Sequence, residues 1–190
     1  MEQIMSKVQS EYGYSDYQMK LIKFMLTAIF YDVSKFIIFM IYFYATGKFI
    51  EFFFAAVPMI LLRMRAGGLH CKSYWTCFLV SFVYFYSVIN LLPVFINVHP
   101  LVIYPVLLVC AIVDYAIGPT SLKERAPVEK GVIQKAKIQS FQVVFLVAVL
   151  IFIFQDTSYL IVSFWTVVLH TVQLSITKLM KEVKHYENLA

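Results

Sequence analysis

TCFLVSFVYFYSVINLLPVFIN, residues Thr76 to Asn97, runs for 22 residues without an Asp, Glu, Lys or Arg. At about 1.5 Å of rise per residue, a helix of that length reaches roughly 33 Å, enough for a hydrocarbon core of about 30 Å. Its apolar residues do not alternate with polar ones, and the run is too long for a stave of an outer-membrane barrel. The stretch therefore reads as a membrane-spanning helix.

The remainder of the chain agrees. Of 190 residues, 61% are hydrophobic and 14% charged, and the mean hydropathy is +0.78. A water-facing surface cannot be built from that composition at this length. Further apolar runs cover about Leu26 to Thr46, Phe49 to Leu62, Leu101 to Gly118, Ser140 to Phe154 and Tyr159 to Ile176. The expected fold is all-α, a polytopic membrane helical bundle of about six transmembrane segments, some short or re-entrant. The second and fifth runs reach only roughly 21 to 24 Å, so they must recruit flanks, thin the bilayer or re-enter. The expected divisions are an N-terminal interfacial segment over 1–25, a membrane domain over 26–177 and a C-terminal tail over 178–190.

Orientation follows from the cations, because Lys and Arg near span ends favour the cytoplasmic side. If all six runs cross, Lys7, Lys20, Lys23, Arg63, Arg65, Lys72, Lys123, Arg125, Lys130, Lys135, Lys137, Lys178, Lys181 and Lys184 share one compartment. Among linker cations only Lys48 disagrees. Both termini and the connector around residue 70 are expected in the cytoplasm. The first twenty residues are polar and mixed in charge, so no cleavable secretory signal is expected. Ile4, Val8 and Tyr12 share a helical stripe that suits a short interfacial helix or belongs to a frayed end.

Chemistry concentrates in Arg63-Met-Arg-Ala-Gly67-Gly68-Leu-His70-Cys71-Lys72-Ser-Tyr-Trp-Thr-Cys77. Cys77 falls in the first turn of the third span, behind several cations, and both settings stabilise a thiolate. For His70 to take its proton, the two side chains must approach to roughly 3 Å. One unbroken helix forbids this, since seven residues separate them by about 10 Å of rise. The chain must bend, and Gly67-Gly68 supplies the freedom to do so. The bland alternative is a polar connector beside a packed cysteine. A metal site built from His70, Cys71 and Cys77 lacks a fourth ligand and the usual spacing, so no metal is expected. Cys110, in the middle of an apolar run, reads as a packing residue.

An Arg, a Gly two before a His, that His and a Cys seven later, here Arg63, Gly68, His70 and Cys77, resemble the AgrB family of membrane cysteine endopeptidases of Gram-positive quorum sensing. The proline-containing basic loop Gly118-Pro119-Thr-Ser-Leu-Lys123-Glu-Arg125-Ala-Pro127 is a second similarity. The resemblance implies a Cys77 nucleophile with His70 as its base and an AgrD-like precursor peptide as substrate. It also implies an acyl-enzyme thioester, a thiolactone or lactone product, no cofactor and a possible homodimer. Lys123 and Arg125 would then attract either an acidic precursor tail or anionic lipid.

Three residues keep two readings each. Arg63 is a positive-inside anchor or a carboxylate clamp, and the resemblance favours the clamp. Asp114 packs in its helix, or orients His70 or faces the substrate path; Asp32 pairs with Lys35 three residues on, or is functional. A small transporter or channel subunit using Asp32 and Asp114 is the competing function. A non-catalytic membrane partner of a sensor kinase is a third. Nucleic acid is not an expected partner despite the net charge of +5, because the cations are spread over several loops.

Overall fold

The computed structural model describes residues 11, 13, 15–67, 73–96, 98–120, 130–154 and 158–187. Two compact units meet in sequence between Ala45 and Thr46. The first holds α1, Asp16–Ala45. Its start is fixed by a reciprocal cap: Ser15 N donates to Gln18 Oε1 at 2.9 Å, and Gln18 N to Ser15 Oγ at 3.3 Å. That box satisfies two backbone donors, and Asp16 in the first turn faces the positive end of the helix dipole. The helix therefore begins ten residues before the apolar run at Leu26. Asp32 accepts from Lys35 Nζ at 2.6 Å on the same helix. The stripe of Ile4, Val8 and Tyr12 lies outside the described residues.

The second unit contains α2 (Phe49–Ala66), α3 (Tyr74–Tyr86), a π-helical segment (Ser87–Leu91), α4 (Leu92–Phe95), α5 (Pro100–Ile117), α6 (Lys130–Ile153) and α7 (Ser158–Glu187). The π segment has a cause in Pro93, which has no N–H for the carbonyl of Ile89 and whose ring presses on it. The turn widens instead, and Leu92 N–H reaches Ser87 O. Pro58 and Pro105 lie inside α2 and α5 without ending them.

Cross-helix contacts fix the directions. Phe54 stacks on Tyr159 and its carbonyl accepts from Ser163 Oγ at 2.7 Å, so α2 and α7 start at the same end. Phe52 meets Phe85 edge-on near the far end of α3, and Tyr104 meets Phe152, so α3 and α6 run the opposite way. The ends of α2 and α5 and the starts of α3 and α6 therefore gather at one end of the bundle. Arg63, Arg65, Lys135 and Lys137 gather there too.

The core combines Leu62 of α2, Leu107 and Ala111 of α5, Val144 and Val147 of α6, and Phe164 and Val167 of α7. Helix α7 is its axis: 56% of its apolar stretch is buried, against 22% for each of the other two long apolar helices. Outward positions such as Leu79, Val83, Leu108, Val109, Ile112, Phe145 and Leu146 are more than half exposed, as a lipid-facing surface requires.

Among the described residues, three helices are long and apolar enough to cross a membrane: Tyr74–Phe95, Gly131–Ile153 and Tyr159–Val183. Leu101–Ile117 is shorter. The architecture is that of a helical membrane bundle. The short run at Ser140 to Phe154 resolves by recruiting its flank, because α6 begins at Lys130. Gln134, Lys135, Ala136 and Lys137 are good helix formers, and the long side chains of Gln134, Lys135 and Lys137 carry polar ends on apolar stems, as the membrane interface suits.

Candidate functional site

Cys77 sits in the first turn of α3 and is 8% exposed. Its N–H closes that turn on Ser73 O at 3.1 Å. Ser73 itself is extended, at φ −101° and ψ 143°, so the helix does not run back through it. An unbroken helix joining residues 70 and 77 is thereby excluded. Tyr74, Trp75 and Phe78 pack ring against ring, at centroid distances of 5.5 to 6.3 Å. They form an aromatic patch at the bundle end, with Trp75 mostly exposed and Cys77 on a buried neighbouring face.

On the α2 side the chain stops at Gly67, with φ +83° and ψ −150°, a conformation that only glycine adopts readily. Its N–H bonds Arg63 O at 3.1 Å, and Thr120 N donates to Ala66 O at 2.8 Å. Gly67 and Thr120 form an isolated parallel bridge. A Cβ at residue 67 would run into the Thr120 carbonyl oxygen. The connector after α2 and the connector after α5 are thus pinned together at their roots. Pro119 lies in the bend just before Thr120. Lys137 of α6 packs against Gly118 and over the Tyr115 ring, and its Nζ is 3.5 Å from the carbonyl of Ala116.

Behind the hinge lies a buried polar cluster drawn from four helices. Asp114 of α5 is 0% exposed and His170 of α7 is 1% exposed. His170 Nδ1 stands 3.9 Å from Asp114 Oδ2, and its Nε2 is 3.4 Å from Gly67 O. Neither oxygen of Asp114 has a hydrogen-bond partner among the described residues. The Tyr84 hydroxyl of α3 donates to Thr166 O at 2.7 Å. It lies close enough to Arg63 and to Asp114 for both charges to act on it.

The structure thus brings Arg63, Gly67, Asp114 and Pro119 to one end of the bundle. Gly68, His70, Lys123, Arg125 and Pro127 lie outside the described residues. Asp32 is accounted for by its ion pair with Lys35. The pattern of apolar runs hid His170, which stands inside Tyr159 to Ile176. An ionisable side chain at such a depth is costly, and that cost was the available sign. A cavity of about 490 Å³, lined by Ile96, Val102, Val106, Phe164, Trp165 and Val168 among others, opens at the other end and contains none of the site residues.

The model of the family described as accessory gene regulator B matches residues 1–174. A putative AgrB-like protein of Clostridium beijerinckii is 38% identical over 64 residues, covering 34% of this chain and 32% of that one. Protein FsrB of Enterococcus faecalis (strain ATCC 47077 / OG1RF) is 31% identical over 120 residues, covering 61% of this chain and 49% of that one. The matched stretches thus span a third to a half of the length of these curated relatives. No solved structure matches.

Proposed function

The chain belongs to the accessory gene regulator B family, and on that premise we propose that it is a membrane cysteine endopeptidase that processes an AgrD-like precursor peptide in quorum sensing. The observation that carries this reading is the paired break around the connector. Gly67 ends α2 in a glycine-only conformation, and an extended Ser73 restarts the chain four residues before a buried Cys77. The helix that holds Cys77 therefore does not run back through Ser73 toward residue 70.

In the proposed reaction His70 takes the proton of Cys77, and Sγ attacks a precursor carbonyl carbon. The C–N bond breaks, and the departing amine takes the proton from His70, leaving the N-terminal fragment as a thioester on Cys77. His70 then takes the proton of a thiol within the fragment, whose sulfur attacks the same carbonyl; the bond to Cys77 Sγ breaks, Cys77 regains the proton from His70, and a thiolactone ring closes; a serine hydroxyl gives a lactone. Exchange between thioesters is nearly balanced in free energy, whereas hydrolysis is strongly downhill, so water must be excluded. Burial of Cys77 beside the Tyr74, Trp75 and Phe78 patch supports that requirement. The helix N-terminus and the nearby cations favour the thiolate. Arg63 serves as a carboxylate clamp, with Lys123 and Arg125 drawing in an acidic tail. The active site faces the cytoplasm, both termini lie on that side, and the enzyme works as a homodimer.

The test is co-expression with a precursor from the same genome, followed by mass spectrometry of the protein and of the peptide. The expected result is a shortened cyclic peptide and an acyl adduct on Cys77. Cys77→Ala abolishes both and His70→Ala nearly so. Retention of cyclisation by Cys77→Ala refutes the reading.

A further inference from the structure

We propose that a buried water molecule is bound between Asp114 of α5 and the neighbouring His170 and Thr171 of α7, joining the two helices beside the end of α2. The site lies in the bundle core and does not depend on the peptidase reading.

Orphaned polar atoms collect at one level of the bundle. Both oxygens of Asp114, Nδ1 of His170 and Oγ1 of Thr171 are buried without a hydrogen-bond partner among the described residues. The carboxylate and the imidazole are 0% and 1% exposed. Cys110 lies close enough to both Thr171 and Asp114 to interact with each, which sets those two near one another. Leaving such atoms dry is costly, and a membrane offers no solvent to relieve them. The other buried hydroxyls of α7 are satisfied: Ser163 by Phe54 O, Thr166 by Val162 O and Thr177 by Gln173 O. The deficit is therefore local to this one level.

The placing of protons decides what fits there. His170 Nε2 is 3.4 Å from Gly67 O, and a carbonyl only accepts, so the proton of a neutral imidazole belongs on Nε2. Nδ1 then turns a bare lone pair toward Asp114 Oδ2, 3.9 Å away. That separation is too long for a hydrogen bond, and two acceptors that face each other repel. A molecule that donates two protons reconciles them. Water does so, because two hydrogen bonds of about 2.8 Å that meet near a right angle bridge about 4 Å. Its oxygen is left to accept, and the Thr171 hydroxyl has a proton to give. About three partners is the usual number for a buried water. Among the described residues no group of three or more His, Cys, Asp or Glu could hold a metal ion, so a neutral donor is the ligand that fits. The side chains of Cys110 and Ala111 on α5 and of Ala66 at the end of α2 are small and buried. With the contact from His170 to Gly67 O, the water completes a polar link from α5 through α7 to α2.

The experiment looks for the water through the side chain it touches. Full-length protein in detergent is exposed to millisecond X-ray pulses, which split water into hydroxyl radicals that oxidise side chains within reach. Oxidation is read residue by residue by mass spectrometry. Trp75, 69% exposed, reports bulk solvent, whereas Phe164 and Leu174, 2% and 0% exposed on the same helix as His170, report dry core. His170 is expected to be oxidised about tenfold faster than Phe164 or Leu174 despite its burial. Thr171→Val removes the third partner and keeps the branched shape, and Asp114→Leu removes the carboxylate. Each is expected to bring His170 to within about twofold of the dry level, with Trp75 unchanged. Circular dichroism and a melting curve establish that each variant is folded; should Asp114→Leu fail to fold, Thr171→Val carries the test. Parent protein in which His170 is oxidised no faster than Phe164 overturns the proposal. Equal oxidation of His170, Phe164 and Leu174 at a rate near that of Trp75 marks an opening of the bundle and overturns it too. So does folded Thr171→Val or Asp114→Leu protein in which His170 is oxidised as fast as in the parent.

Discussion

Replacing Gly67 with Ala attacks a point where backbone meets backbone at the end of the bundle that holds the candidate site. At φ +83° and ψ −150° a side chain is strained whatever surrounds it, and the surroundings here are the Thr120 carbonyl, which has no flexible end to swing away. The conformational strain costs about 1–3 kcal/mol. Relieving the collision by separating the two connectors gives up the 2.8 Å bond from Thr120 N to Ala66 O, worth about 1 kcal/mol net. Gly67→Ala is therefore expected to destabilise the protein by about 2–4 kcal/mol and to lower its melting temperature in detergent by about 5–15 °C. Gly131→Ala is the internal control, since nothing lies near a Cβ there and the residue sits in the first turn of α6. It is expected to melt at or slightly above the parent temperature. A Gly67→Ala protein that melts within about 1 °C of the parent refutes the claim that the hinge is held by this contact.

Four further outcomes are expected. Arg63→Lys keeps the charge but loses the two-pronged grip on a carboxylate, so precursor turnover falls by about tenfold or more, while Arg65→Lys, on an exposed position of the same turn, leaves it unchanged; equal rates for both assign Arg63 to anchoring alone. Tyr84→Phe removes the 2.7 Å bond to Thr166 O and lowers stability by about 0.6 kcal/mol, the usual worth of an interhelical hydrogen bond in a membrane; an unchanged denaturation midpoint counts against that bond. Cys71→Ala keeps most of the cleavage activity, and its loss transfers the nucleophile's role away from Cys77. A Lys72→Cys protein is labelled by an impermeant maleimide only after the cytoplasmic face is opened; labelling from outside inverts the topology.

The fold was legible in the sequence wherever a long apolar run stood alone. Thr76 to Asn97 needed only its length and its lack of charge, and α3 through α4 occupies it almost to the residue. Ends were harder, because backbone hydrogen bonding carries a helix past the point where hydropathy falls. Lys130 to Gln139 extends α6 by ten residues in that way, and the Ser15 cap starts α1 well ahead of Leu26. At the site, Gly67 was readable as a hinge because glycine pairs flag freedom of rotation. Its partner Thr120 was not, since a contact across 53 positions leaves no local trace. Asp114 announced itself as a carboxylate inside an apolar run. His170 carries the same cost, but only the packing of α7 against α5 and α2 shows that the two residues share it.

The widened turn at Ser87–Leu91 bears on the setting of Cys77. Cys77, Ser81, Phe85 and Ile89 are all buried and recur every four residues. In a regular α-helix each such step overshoots a full turn by about 40°, so a stripe of this length winds away from the core. The π turn advances less per residue and takes up the excess, which lets the far end of the helix stay seated while Cys77 remains turned inward. The rotational setting of Cys77 is thus coupled to a widened turn that begins about three turns away and to a proline more than four turns away. Deleting one residue from Ser87–Leu91 is expected to turn that helix like a screw, changing which way the Cys77 sulfur faces and carrying Tyr74, Trp75 and Phe78 round with it.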